Sequence, residues 1–233
     1  MWLARRSDER ELLENEALDP NDVRSNLREL AMLNRLPGGI GASFSAIRHL
    51  TDPAAIVTIA DVGTGAGDMP AAFVRRAREV GASWRVTAID SRPEVLEVAR
   101  LRLRKVAAVT LLDGDALALP LPDLSVDVAH ASLLLHHFDE ADAVAALREM
   151  ARVSRRGVVI NDLRRGLMPY LFTWTTTMAL TRHRFTRHDG PLSARRAFTL
   201  PELDRLLTDG GLRVAWRSST LQPRVATAAV RAA

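Results

Sequence analysis

From residue 56 onward, short apolar runs alternate with segments whose apolar positions recur at helical spacing, the rhythm of βαβ units around a parallel sheet. The runs Ile56–Ala60, Trp84–Asp90, Val109–Asp113, the apolar stretch after Ser125, and Gly157–Asn161 read as five strands. Between the first two, Pro70–Val80 predicts a helix, with Phe73, Ala77 and Val80 on one face and Pro70 in a tolerated first-turn position. Glu140–Ser154 predicts another, with Val144, Leu147, Met150 and Ala151 inward. Pro201–Asp209 is the last helix, and Leu212–Ser218 and Leu221–Val230 follow as two strands, with Pro223 suited to a strand start or edge. Ahead of the sheet, Glu9–Glu16, Val23–Leu36 and Ala42–Leu50 read as helices. The polar Asp19-Pro20-Asn21-Asp22 segment can cap the second of these, and Pro37-Gly38-Gly39 ends it. The chain thus divides into a helical segment, 1–50, and an α/β domain, 51–233, with an insertion at 162–200.

Chemistry enters at the first strand end. Asp61-Val-Gly-Thr-Gly-Ala-Gly-Asp68 follows the apolar run directly, and a strand, a glycine turn and a helix in succession form the nucleotide-binding corner of α/β sheets. Glycine lets the turn be tight and the backbone approach a ligand closely. Gly63, Gly65 and Gly67 alternate as GxGxG, whereas the dinucleotide fingerprint GxGxxG requires glycine or alanine where Asp68 stands. Asp90, at the second strand end, falls about 20 residues beyond the turn, where a βαβ unit sets a carboxylate against ribose hydroxyls. A carboxylate suits that task because it only accepts hydrogen bonds.

Charge and composition narrow the partners. The net charge is +4 over 233 residues, and Lys105 is the sole lysine, so the basic character is that of dispersed arginine pairs and not of a nucleic-acid-binding stripe. No cysteine is present, which excludes a disulfide framework and a thiolate metal site. The histidines show no metal-ligand spacing, so no metal is expected. No run is long and apolar enough to span a bilayer, and the start turns charged too early for a signal peptide. These readings give a cytoplasmic protein without stable membrane insertion or nucleic-acid partner; a homo-oligomer stays open.

Asp61–Gly67, Asp90, the Gly114-Asp115-Ala116 close of the third strand and Ser125–Phe138 occur in an order that resembles the class I S-adenosylmethionine (SAM)-dependent methyltransferases. The last of these, with Leu135-His136-His137, is similar to the subgroup related to ubiquinone and menaquinone methyltransferases. The resemblance implies an α/β, Rossmann-like, seven-stranded, mostly parallel sheet with an antiparallel last strand and helices on both faces. It implies S-adenosyl-L-methionine as cofactor, held by Asp61, Gly63, Thr64, Gly65, Gly67, Asp90, Ser91, Asp115, Ala116 and Ser132, with Asp115 near the adenine amino group. Where family members usually carry a Pro-Gly-Gly turn before the fifth strand, this chain has Ser154-Arg155-Arg156-Gly157.

An oxygen acceptor gains from a general base, and position favours His136, His137 and Asp162, at the carboxyl ends of the fourth and fifth strands, over His188 in the insertion. The histidines could equally pack or cap backbone. In the family, helices such as those before residue 50 fold over the cofactor as a lid, although simple packing on the sheet is the alternative. The insertion joins an apolar half, with Tyr170, Phe172 and Trp174, to an arginine- and histidine-rich half with a His188–Pro191 turn. That pairing suits a small, mainly apolar phenolic or polyketide-like acceptor bearing an anionic group, or else a core helix with solvated arginines. Methylation at oxygen is the leading reading. C-methylation of a quinone, a non-catalytic SAM-binding protein and a nicotinamide oxidoreductase are the alternatives. A nucleic-acid methylase is disfavoured, since Ala131-Ser132-Leu133-Leu134 stands where Asn-Pro-Pro-Tyr would be needed.

Overall fold

A computed structural model describes residues 3–14, 19–52 and 56–232. The apolar runs form a seven-stranded sheet: β1 (Ile56–Val62), β2 (Ser83–Asp90), β3 (Val109–Asp113), β4 (Val126–Ser132), β5 (Ser154–Leu163), β6 (Leu212–Arg217) and β7 (Arg224–Arg231). The order is β3-β2-β1-β4-β5-β7-β6, with β7 antiparallel to both of its neighbours and the remaining pairs parallel. The order reverses between β1 and β4, so a crevice opens at their carboxyl ends, the usual ligand position in such sheets.

The strands alternate side chains between two apolar layers, as a period of two requires. Val57 and Ile59 of β1 join Phe73, Ile47 and Trp84, beneath α2 (Ile40–Leu50) and α3 (Asp68–Glu79). Ala60 and Val62 face the opposite layer with Leu147, Met150 and Leu207, beneath α5 (Glu140–Val153) and α8 (Leu200–Asp209). The helix α1 (Pro20–Leu33) packs across α4 (Pro93–Leu103), with Val23, Leu27, Ala66 and Val95 in one small cluster. Asp19 caps α1 by accepting from the Asn21 amide at 2.7 Å, which starts the helix three residues before the expected Val23.

Three expectations need correction. The helix expected over Glu9–Glu16 is a single 3-10 turn, Leu12–Glu14, among the described residues, and residues 15 and 16 lie outside them. The fifth strand, expected from Gly157, begins three residues earlier: α5 runs to Val153 and the chain enters β5 at once, with no turn between them. Gly157 serves the sheet itself, since a Cβ there would lie 2.3 Å from the Ala229 carbonyl oxygen of β7.

The third concerns the insertion, which forms two helices, α6 (Leu167–Leu180) and α7 (Arg184–Arg196). His188–Pro191 is helical, although its composition suggests a turn. Gly190 lets the two helices close together, because a Cβ there would meet Thr177 Cγ2 at 2.5 Å. Packing between helices outweighs local propensity at that point. No described helix is long and apolar enough to cross a membrane.

Candidate active site

The glycine turn forms at the β1 end because several hydrogen bonds over-determine it. Asp61, 1 % exposed, accepts from the Thr64 hydroxyl at 2.6 Å and pairs with His130 Nδ1 at 2.6 Å. His130 Nε2 lies 2.9 Å from Ser43 Oγ, which accepts from Asn161 Nδ2 at 2.8 Å, and that same nitrogen donates to the Gly38 and Gly39 carbonyls. With an acceptor-only carboxylate at its head, the donor order runs one way, from Asn161 through Ser43 and His130 to Asp61. This buried chain ties β1, β4, β5 and the start of α2 beneath the turn. His130 was not singled out from the sequence; its signal was a histidine inside the apolar run of a central strand.

Above the turn is a cleft of about 640 Å³, inside the ~300–1,000 Å³ range of small-molecule sites. Asp61, Gly63, Thr64, Gly65, Asp90, Ser91, Asp115, Ala116 and Ser132 all line it. Gly63 and Gly65 have φ of +67° and +56°, in the region open to glycine at no steric cost. Asp90 accepts from the Gly65 amide at 3.0 Å and the Arg92 amide at 3.2 Å, which joins the two strand ends. Burial pushes its carboxyl pKa up, against the pull of those amides and of Arg92.

Gly67 is not in the cleft. It begins α3 with φ +70°, and a Cβ there would meet Leu103 Cδ1 of α4 at 2.7 Å. Its role is to seat one helix on another. Gly67→Ala is expected to cost about 1–3 kcal/mol, from the left-handed backbone and the overpacking together. Denaturant midpoints measure this, and an unchanged midpoint contradicts it.

A second, narrower chamber of about 120 Å³ adjoins the cleft. Leu13, Leu30, Leu133 and His137 line both. Phe172 contributes to the chamber wall; Tyr170 and Trp174 do not. Leu133 holds φ +53° at the end of β4, costly for a leucine, while its amide donates to the Asn161 carbonyl at 3.0 Å. This strained residue forms part of the partition between the two spaces.

His137 at that partition and His136 in the chamber wall each carry a carboxylate on Nδ1. His136, 2 % exposed, pairs with Asp162 at 2.7 Å, and its amide donates to the other Asp162 oxygen at 3.2 Å. His137 pairs with Glu14 at 2.7 Å. Burial opposes charge on Asp162, but the His136 imidazole and the Leu163 amide hold its pKa below the ordinary value. Burial likewise works against Glu14, and His137 and Arg196 outweigh it. Burial also disfavours the His137 cation, yet its bond to Glu14 and the charges of Glu11 and Glu14 leave its pKa raised above 6.5. Ionised carboxylates accept only, so in the neutral rings each Nδ1 carries the proton and each Nε2 keeps a lone pair.

The remaining candidates fall elsewhere. Asp162 lines neither the cleft nor the chamber, and its two oxygens are engaged by the His136 ring and amide. His188 also lines neither space; its ring is half exposed and pairs with Asp189 at 2.8 Å. The insertion's arginines do not line the chamber. Arg184 pairs with Asp22, Arg187 with the Met178 and Thr181 carbonyls, and Arg196 with Glu14. The chamber's arginine is Arg224 of β7, a position to which the sequence pattern drew no attention. Spacing also gave no hint that Glu11 joins His136 and His137, with one ligand atom from each within 4.8 Å of the others. Glu11 already accepts from the Ser193 hydroxyl at 2.6 Å.

Residues 59–157 match the family described as a methyltransferase domain. Over 100 residues the chain is 43 % identical to a malonyl-[acyl-carrier protein] O-methyltransferase of Serratia marcescens, covering 43 % of this chain and 35 % of that protein. It is 34 % identical over 100 residues to a demethylmenaquinone methyltransferase of Staphylococcus aureus, covering 43 % of this chain and 39 % of the relative. The chain therefore spans well under half the length of these curated relatives. In fold it resembles a SAM-dependent methyltransferase from Aquifex aeolicus, with TM-score 0.62 at 20 % identity over 91 % of this chain and 98 % of that one. It also resembles human N-acetylserotonin methyltransferase in complex with SAM, with TM-score 0.69 at 15 % identity over 92 % of this chain and 57 % of that one. The central segment of this chain is thus similar to methyltransferase domains, and its sheet has the fold of the SAM-dependent methyltransferases named above.

Proposed function

We propose that this protein transfers a methyl group from SAM to an oxygen of a small, mainly apolar acceptor of phenolic or polyketide-like type. The observation that carries the reading is the junction of two spaces: a glycine-turn cleft and an apolar chamber that share a wall bearing His137. The donor set fits the cofactor. Gly63 and Gly65 leave the cleft floor without side chains, Asp90 offers acceptor oxygens at the ribose position, and Asp115 offers one to the adenine amino group. Thr64, Ser91, Ala116 and Ser132 complete that lining, and Asp61 holds the turn from below. Gly67 stands outside this set.

When bound, SAM supplies a methyl group activated on a sulfonium, and S-adenosylhomocysteine is the leaving group. The protein then has two tasks, to hold the acceptor oxygen in line and to take its proton. We assign the second task to His137, a reading supported by the Glu14 contact on Nδ1, which leaves Nε2 for the proton. His136, held by Asp162, is the neighbouring alternative within the chamber. The apolar lining excludes water from the acceptor oxygen, which strengthens each of these polar interactions. In this reading residues 1–50 act as a lid: Leu13, Glu14, Leu27, Leu30 and Asn34 all line the cleft. The insertion at 162–200 shapes the acceptor chamber through Phe172, Thr173, Thr177 and Ser193.

The relative named for demethylmenaquinone favours a second reading, C-methylation of a quinone ring. Incubation with methyl-labelled SAM and a panel of phenols and quinones, followed by product mass spectrometry, separates the two. O-methylated phenols support the first reading, C-methylated rings the second, and no product from any acceptor opposes both. Transfer is expected to proceed without a metal ion, so a chelator leaves the rate unchanged. A loss restored by a divalent cation would instead make Glu11, His136 and His137 ligands.

A further inference from the structure

Arg224 opens β7 and lies in the wall of the acceptor chamber, 6 % exposed. A buried guanidinium is normally paired with a carboxylate, because burial of an unpaired charge costs several kcal/mol. This one has only neutral partners. One terminal nitrogen donates to Asn34 Oδ1 at 2.5 Å, the other donates to Ser132 Oγ at 2.7 Å, and Nε has no partner in the protein. Two of its five N–H groups are used, and no described carboxylate stands within ion-pair distance. Burial pushes the guanidinium down to about 10, and Asp162 and Asp68 act on it only at longer range.

The placement says which ligand would complete it. Asn34 and Ser132 both line the cofactor cleft, whereas Arg224 itself lines the chamber, so the guanidinium sits at the seam. Its planar fork matches a carboxylate. Asp162 and Asp68, whose charges reach Arg224, would repel a dianion such as phosphate more strongly than a monoanion. We propose that Arg224 is a carboxylate receptor at the seam of the two spaces, taking either the amino-acid tail of the cofactor or an acid group on the acceptor. The first source rests on the cofactor reading above; the second does not.

Calorimetric titrations of the wild type, Arg224→Met and Arg224→Lys test this, with thermal midpoints measured alongside. One arm compares S-adenosylhomocysteine with 5′-methylthioadenosine, which lacks the amino-acid tail. The other compares 4-hydroxybenzoate with its methyl ester. If the cofactor tail is the ligand, R224M weakens S-adenosylhomocysteine binding at least about tenfold and leaves methylthioadenosine nearly unchanged. If an acceptor acid is the ligand, the same loss falls on 4-hydroxybenzoate and spares the ester. R224K, which keeps the charge but loses the fork, gives a smaller loss on the same ligand and decides the matter should R224M not fold. Equal binding by wild type and variant in both arms overturns the proposal, as does an equal loss for tailed and tailless ligands. A wild type that binds no S-adenosylhomocysteine sinks the cofactor reading, and the 4-hydroxybenzoate arm then judges Arg224 alone.

Discussion

Replacing His137 by alanine is expected to lower kcat for a neutral phenol about 10²- to 10⁴-fold while leaving S-adenosylhomocysteine affinity nearly intact. The split follows from position. His137 lies in the partition between cleft and chamber, and its Nδ1 is engaged by Glu14 at 2.7 Å, which leaves Nε2 as the nitrogen expected to meet the acceptor. The pH dependence tests the same assignment. A base works when deprotonated, so the rate should rise with pH through an inflection above 6.5, because the Glu14 bond and the charges of Glu11 and Glu14 outweigh burial and raise the ring's pKa. Glu14→Gln removes a charge that favours the imidazolium, so the inflection should move to lower pH. A structural role would not move that inflection. Equal turnover by His137→Ala would exclude it as the base and leave His136, whose Nδ1 is held by Asp162.

The second large effect belongs to Asp90. Asp90→Ala is expected to weaken S-adenosylhomocysteine binding about tenfold to a hundredfold, the worth of charge-assisted hydrogen bonds to the ribose. Part of the loss would come from the turn, since Asp90 also accepts from the Gly65 and Arg92 amides. Asp90→Asn separates the contributions. It keeps an acceptor for one amide but loses the charge, so an intermediate affinity is expected. Because burial raises the Asp90 pKa, wild-type affinity should fall as pH drops through that raised value and the acceptor becomes protonated. A folded Asp90→Ala protein with wild-type affinity would remove the ribose from this position.

Much of this architecture was legible in the sequence because βαβ units write themselves locally. Alternating apolar runs, a glycine turn at a strand end and a carboxylate about 20 residues later are short-range signals, and the elements over 56–138 lie within a few residues of their expected bounds. What stayed hidden is long-range. Glu11 and Glu14 meet His136 and His137 across more than a hundred residues, and Arg224 reaches Asn34 across 190. No periodicity reports such pairs. His188–Pro191 misled for the opposite reason. Its composition favours a turn, yet Gly190 is there so that α6 and α7 can approach at Thr177. The insertion's arginines misled in the same way, since composition could not show that they spend their charge on Asp22, on Glu14 and on helix carbonyls.

Whether the cleft above Asp61–Gly67 holds SAM is decided by calorimetric titration of the purified protein with S-adenosylhomocysteine, with NADH as the control ligand. Micromolar binding of S-adenosylhomocysteine and none of NADH is expected, since Asp68 stands where a dinucleotide fingerprint needs glycine or alanine and accepts from Asn34 at 3.0 Å. Binding of NADH without S-adenosylhomocysteine, or of neither, would contradict that expectation.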